Sequence, residues 1–433
     1  MIRGIWRRAA LWLTSLCLLT GCAAPGSAAR GSSLPRSTDA AQTAADSLLP
    51  APPETTPTGG VLPETDAPVT ALCPTASTAA RPESDAETRL ARMSTEERVA
   101  QLFVVTPEAL TGDSDYLTAA DDRLREAYGR IPAGGFLLMG GNLKDPAQTR
   151  ALLGALQDLS RERLELPVFL CVDEEGGSVA RISGNPAFGQ AAIPSMAAIG
   201  AAGDPEQARQ IGRTMGAYLS ELGFNVDLAP DADVLTNPDN SIVRSRSFGS
   251  DGALVAEMAA ALAEGLLEQG VLPCYKHFPG HGGTAEDSHK GFAVLHRSRE
   301  ALLNGQELIP FADAARRGMP MIMAGHISVP ELTGDDLPAS LSGTLIGLLR
   351  GPELGYNGLV ITDALSMKAV SEQYAPGEAA VLAVLAGSDL LLVSDELEES
   401  YEAVLRAVED GTIPLSRIDE SVLRILTAKE DLP

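Results

Sequence analysis

Past residue 83 the chain alternates between short apolar runs and longer stretches with apolar positions three and four apart. The short runs fall at 101–105, 135–139, 168–172, 225–229, 272–276, 321–324, 359–362 and 390–393. They are mostly continuous apolar runs, the pattern of parallel strands buried on both faces. Helical stretches follow at 146–162, 205–222, 252–269, 300–316, 342–349, 376–386 and 396–409, and a last one, 415–427, is expected to cover the final strand. Several open on Asp, Ser or Pro, residues that suit helix starts. Eight strands alternating with eight helices predict an α/β fold, a single (β/α)8 barrel domain over residues 84–433. A doubly wound open sheet is the competing arrangement of the same elements.

The pattern is different before residue 84. Arg3, Arg7 and Arg8 precede an apolar run over 9–19, too short for a stable span and suited to a signal-peptide core. Leu19-Thr20-Gly21-Cys22 follows, small residues ending in a cysteine. This resembles the processing signal of bacterial lipoproteins. It implies removal of 1–21, a lipid anchor on Cys22 and residence on the outer face of the cytoplasmic membrane. Residues 22–83 are rich in Ala, Pro, Ser and Thr, cannot bury enough surface to offset their ordering entropy, and read as a disordered tether. The net formal charge of −25 argues against nucleic acid as a partner and against electrostatic adhesion to anionic lipid. The five cysteines have neither the spacing of a disulfide framework nor that of a zinc site, and Cys171 and Cys274, inside apolar runs, are expected as buried thiols.

A barrel places its chemistry just after the strands. Polar clusters occupy those positions repeatedly. Asp173-Glu174-Glu175 follows the third run, Asp227, Asp231 and Asp233 surround the end of the fourth, and Lys276-His277 ends the fifth. His326 follows the sixth and Asp363 the seventh. Charges at strand ends are costly without a partner or a purpose, so the recurrence points to one shared site. Three of the five histidines lie between His277 and His289, in KHFPGHGGTAEDSH. Asp287 can hydrogen-bond the His289 ring, fix its tautomer and raise its pKa, giving a proton donor and acceptor near neutrality. Taken alone, the Asp-Ser-His triplet also reads as a turn cap. Asp363, at the end of an apolar strand, suits a nucleophile or charge stabiliser, or equally a helix cap.

KHFPGHG followed by DSH resembles glycoside hydrolase family 3, in its β-N-acetylhexosaminidase branch. DEEGGSVAR (173–181), LAPDADV (228–234), RSFG (246–249) and ITDALSM (361–367) match the same family in the same order. The resemblance implies a retaining exo-β-N-acetylglucosaminidase. Asp363 matches the nucleophile and His289 the general acid/base, with Asp287 as its partner. Asp173, Arg181, Arg246, Lys276 and His277 match residues that hold the hydroxyls of the terminal sugar. It implies neither metal nor organic cofactor. The expected partners are carbohydrate, with muropeptides as the natural β-N-acetylglucosaminides, and the membrane through the lipid. Glu174 and Ser178 depart from the branch, which commonly has Gln and Arg there. A β-N-acetylglucosaminide phosphorylase, a non-catalytic sugar-binding lipoprotein and a metal-dependent hydrolase using His277, His281, Asp287 and His289 are the alternatives.

Overall fold

The computed structural model describes residues 85–284, 292–430 and 432; Cys22, the leader, the tether, Asp287 and His289 lie outside them. Eight parallel strands form one sheet: β1 (Phe103–Val105), β2 (Gly135–Leu137), β3 (Phe169–Val172), β4 (Val226–Asp227), β5 (Leu272–Phe278), β6 (Met321–Ala324), β7 (Leu359–Thr362) and β8 (Leu391–Val393). Neighbours follow the order β7-β6-β5-β4-β3-β2-β1-β8, and a parallel bridge between Ile361 and Leu390 joins the two ends. The sheet therefore closes into a barrel, and the open-sheet alternative falls. Every residue of β1, β2, β3, β6, β7 and β8 is buried, as continuous apolar runs require.

The outer helices begin where their caps dictate. Asp145 and Asp204 each accept backbone N–H bonds from the first turn and are followed by proline, fixing the starts of Pro146–Leu164 and Pro205–Leu222. Helices Pro205–Leu222 and Gly252–Leu267 pack at backbone contact. A Cβ on Gly212 would lie 2.1 Å from the Leu262 carbonyl, and one on Gly265 would lie 2.2 Å from that of Arg209.

Two sequence expectations are corrected. The stretch 300–316 is two helices, Arg299–Leu303 and Ile309–Arg317. Gly305 disfavours the join, and the side chains after it are needed elsewhere. Gln306 accepts from the Gly252 N–H at 2.7 Å, and Glu307 accepts from Thr236 and Arg297, both at 2.9 Å. The last helix, Leu415–Glu430, comes after Leu397–Glu409, the helix that directly follows β8 in the chain. Between β1 and β2 lie Pro107–Thr111 and Asp122–Arg130, which the pattern missed. Leu415–Glu430 instead packs on Thr95–Gln101 beside the N-terminal ends of the strands. Buried Asp389 anchors it there, accepting from Ser421 at 2.7 Å and Arg424 at 3.1 Å and pairing with Arg350.

Lys429, on that helix, is buried. Its Nζ donates to Gln101 Oε1 at 2.8 Å and lies 5.0 Å from the Phe169 ring centroid. Among the described residues no carboxylate pairs with it. Burial pulls its pKa down to about 7. Between that value and the ordinary lysine value near 10.5 the unfolded chain holds a proton that the folded chain does not, so raising pH through this window favours folding. Wild-type stability should therefore gain on that of Lys429→Met as pH rises from 7 toward 10. Parallel urea curves showing a constant gap would refute the lowered pKa of Lys429.

Candidate active site

One strand end after another delivers a polar side chain to the C-terminal mouth of the barrel. Asp173, Glu175, Arg181, Arg246, Lys276, His277, His281 and Asp363 line one cavity of about 420 Å³. Apolar residues complete it, among them Leu137, Val179, Leu228 and Met323. All the described site residues expected from sequence thus meet at one place; Asp287 and His289 fall outside the described chain. A larger cavity of about 800 Å³ adjoins it and shares Ser366, but holds none of these charged groups. The convergence of charge marks the site, not the size of the hollow.

The charges are arranged as linked pairs. Lys276, buried on β5, places Nζ 2.7 Å from Asp173 Oδ1 and 2.7 Å from Glu175 Oε1. Burial would lower its pKa, but the two carboxylates outweigh that and raise it, so it stays an ammonium. Glu175 also accepts a fork of two 2.7 Å bonds from Arg246 Nε and Nη2. Burial would push its carboxyl up; Lys276 and Arg246 prevail and hold it well below the ordinary range. Arg246 Nε lies 3.4 Å from Asp231 Oδ2. Burial, and next the neighbouring Asp233 charge, push Asp231 up to about 8. Arg181 stands apart from this lattice, with Nη2 3.9 Å from Asp173 Oδ2.

His277 is oriented from behind. Its Nδ1–H donates to Asp233 Oδ2 at 2.8 Å, which turns Nε2 toward Arg246 Nη2 at 3.4 Å and the cavity. Burial opposes charge on the ring, yet Asp233 raises its pKa overall. Asp233 Oδ1 also accepts from the backbone N–H of His281 at 2.6 Å and of His277 at 3.2 Å. Asp231, Asp233 and His277 are close enough and of the right types to bind a metal. Asp233 is already taken up by the His277 ring and by the N–H groups of His277 and His281, and the Arg246 cation lies 3.4 Å from Asp231, so this donor set does not suit a further cation. The following turn lies against the β4 loop. A Cβ on Gly282 would sit 1.9 Å from the Val234 carbonyl, so only glycine fits.

Asp363 follows β7. Its N–H donates to the Ala324 carbonyl on β6 at 2.9 Å, and its Oδ1 accepts from the next N–H, of Ala364, at 2.8 Å. Burial would raise its carboxyl, but His326, His277 and that N–H outweigh it and lower the pKa. It is an anion poised in the cavity. His326 itself hydrogen-bonds the Ala364 carbonyl and Ser340 Oγ, both at 2.8 Å.

Sequence reasoning placed Glu175 and Asp233 in the polar clusters at the strand ends without giving either a role of its own, and gave His281 one only in the metal-dependent alternative. Glu175 was visible as the second acid of DEEGG, two positions from Asp173 on an extended segment and so on the same face. The acids around β4 were visible as a cluster, but not which of them would meet His277. Of the two departures, Ser178 is exposed at a hairpin tip, and Glu174 is buried outside the cavity lining.

Known proteins share this fold and sequence pattern. The family described as "Glycosyl hydrolase family 3 N terminal domain" matches residues 94–428. Beta-hexosaminidase A of Pseudoalteromonas piscicida is 32% identical over 338 residues, covering 73% of this chain and 56% of that protein. Beta-hexosaminidase LpqI of Mycobacterium tuberculosis is 37% identical over 287 residues, covering 65% of this chain and 72% of that protein. Among solved structures, a family 3 β-N-acetylglucosaminidase from Paenibacillus sp. str. FPU-7 has a TM-score of 0.72 at 38% identity, over 78% of this chain and 62% of that one. The LpqI structure has a TM-score of 0.68 at 32% identity, over 78% and 94% of the two chains. With the barrel, the cavity and a family match spanning most of the chain, the protein belongs to glycoside hydrolase family 3.

Proposed function

We propose that this enzyme removes terminal β-linked N-acetylglucosamine with retention of configuration. The observation that carries the reading is Asp363, an anionic carboxylate at the end of β7, opening into the same cavity as Asp173, Arg181, Arg246, Lys276 and His277. Relatives named beta-hexosaminidase support the choice of sugar. Asp363 attacks the anomeric carbon from one face while the His289 imidazolium protonates the departing glycosidic oxygen. Neutral His289 then takes a proton from water, which releases the sugar from Asp363. Asp287 holds the His289 ring and stabilises its charged form. Asp173, Arg181, Arg246, Lys276 and His277 grip the hydroxyls and fix the ring for attack.

Residues 1–21 are the leader in this reading, 22–83 the tether and 84–433 the catalytic barrel. Lipid on Cys22 holds the enzyme on the outer face of the cytoplasmic membrane, and the tether lets the barrel reach cell-wall fragments. Incubating the purified enzyme with muropeptides, with and without phosphate, tests the reaction. Free N-acetylglucosamine in both supports hydrolysis, whereas sugar 1-phosphate made only with phosphate transfers the enzyme to the phosphorylases. His289→Ala should slow cleavage of unactivated glycosides far more than that of a nitrophenyl glycoside, whose leaving group needs little protonation. Equal slowing of both would remove His289 from the acid/base role.

A further inference from the structure

Glu174 stands between two residues that line the cavity, yet does not line it. Asp173, Glu174 and Glu175 run into a short extended segment, Glu174–Gly176, paired antiparallel with Val179–Ala180. Side chains alternate along such a segment, so the outer two acids face the sugar site and Glu174 faces away. It is fully buried. A buried carboxylate needs partners, and Glu174 has four. Its Oε2 accepts from the backbone N–H of Arg181 at 2.6 Å and of Ile182 at 2.8 Å. Its Oε1 accepts from the N–H of Ser183 at 2.8 Å and from the Tyr218 hydroxyl at 2.8 Å. Three consecutive backbone donors thus close around one anion, a nest whose shape depends on the charge at its centre. The backbone of Glu174 is fastened in turn, its N–H donating to Asp227 Oδ1 on β4 at 3.0 Å.

The first of those three donors belongs to Arg181, whose side chain reaches the cavity with little else to hold it. Its guanidinium is 3.9 Å from Asp173, and its Nε is buried without a hydrogen-bond partner. The place of Arg181 is therefore set through its backbone. We propose that Glu174 is a positioning residue: its carboxylate locks the turn at 181–183 and so aims Arg181 at the sugar. The proposal rests on the reading of Arg181 as a sugar-binding residue. It also gives a physical meaning to glutamate at a position where the related branch commonly has glutamine. A glutamine offers one acceptor oxygen to these four donors. The Tyr218 hydroxyl can reverse and accept from the new amide, but the Ser183 N–H cannot, so one hydrogen bond of the lock is lost.

The test is a double-mutant cycle on the full chain, measured with a β-N-acetylglucosaminide and, independently of turnover, by calorimetric binding of N-acetylglucosamine. Glu174→Gln should raise KM and Kd roughly five-fold, the worth of about one net hydrogen bond, with kcat little changed. Glu174→Gln with Tyr218→Phe should be worse than the product of the two singles, because the amide then has no acceptor. In an Arg181→Ala background Glu174→Gln should add no further rise. An unchanged KM and Kd, or an equal rise with and without Arg181, overturns the proposal. If Glu174→Gln does not fold, Tyr218→Phe carries the same comparison, since a merely structural role would lower thermal stability and leave KM where it was. Failure of the functional reading itself looks different: wild-type enzyme that neither cleaves the glycoside nor binds the sugar.

Discussion

Asp363→Asn should fold, bind N-acetylglucosamine and fail to turn over, with kcat reduced by about 10⁴-fold or more, as when an essential nucleophile is removed. The side chain keeps its shape, and the oxygen that accepts from the Ala364 N–H can stay where it is. The residues proposed to grip the sugar are untouched, so the Kd for the free sugar should move little. What is lost is the negative charge and the lone pair that forms the bond to the anomeric carbon. Asp363→Ala gives a sharper reading. With azide present, azide can enter the space left by the carboxylate and displace an activated leaving group from the same face. The product is then the α-glycosyl azide, formed as the leaving group departs with the bonding pair. Substantial residual hydrolysis by Asp363→Asn, or no azide product from Asp363→Ala with the sugar site intact, would assign the covalent step elsewhere. Because His326 and His277 hold the carboxyl below its ordinary value, Asp363 should stay ionised through neutrality and well into acid. The acid limb of the wild-type pH profile should accordingly lie at or below the ordinary aspartate range.

Asp363 was also the residue whose place was easiest to read before the fold was known. Residues 359–361 are apolar, Thr362 completes the strand, and the first charged residue after it lies at the barrel mouth. The same logic placed Asp173 after β3 and Lys276 in β5, because parallel strands buried on both faces leave polar residues nowhere else to go. The expected helix at 205–222 matches the observed one because Asp204 and Pro205 punctuate its start and Gly223 its end, in the left-handed conformation. Helix Asp122–Arg130 escaped because only Leu124, Ala127 and Tyr128 of its nine residues are buried, too few for a periodic stripe. The break at 304–308 escaped because Gln306 and Glu307 act through residues far away in sequence. Pairing was the least legible layer. Glu175 meets Arg246 71 residues later, and Asp233 meets His277 44 residues later. Such partnerships depend on which side chains share a face of the closed barrel, which no local pattern records.

Lys276→Met tests that layer with the second largest effect. The substitution keeps the length of the side chain and removes an ammonium shared by Asp173 and Glu175, both 2.7 Å away. Breaking a buried ion pair from one side leaves uncompensated charge, which costs about 3–5 kcal/mol. The lower end is expected here, because Arg246 still holds Glu175 by its fork. Loss of the proposed sugar contact, together with two repelling carboxylates at the strand end, should also cut kcat/KM by about 100-fold or more. The pH dependence separates the electrostatic origin from lost packing. In the wild type the Glu175 carboxyl is held below its unfolded value, so its contribution to stability is present above about pH 4.5 and fades as pH falls below it. In Lys276→Met much of that contribution is already missing. The stability gap between the two proteins should therefore narrow as pH drops from neutrality through the carboxylate range, read as urea midpoints at matched pH. A gap of constant size would mean that Asp173 and Glu175 do not need the charge of Lys276.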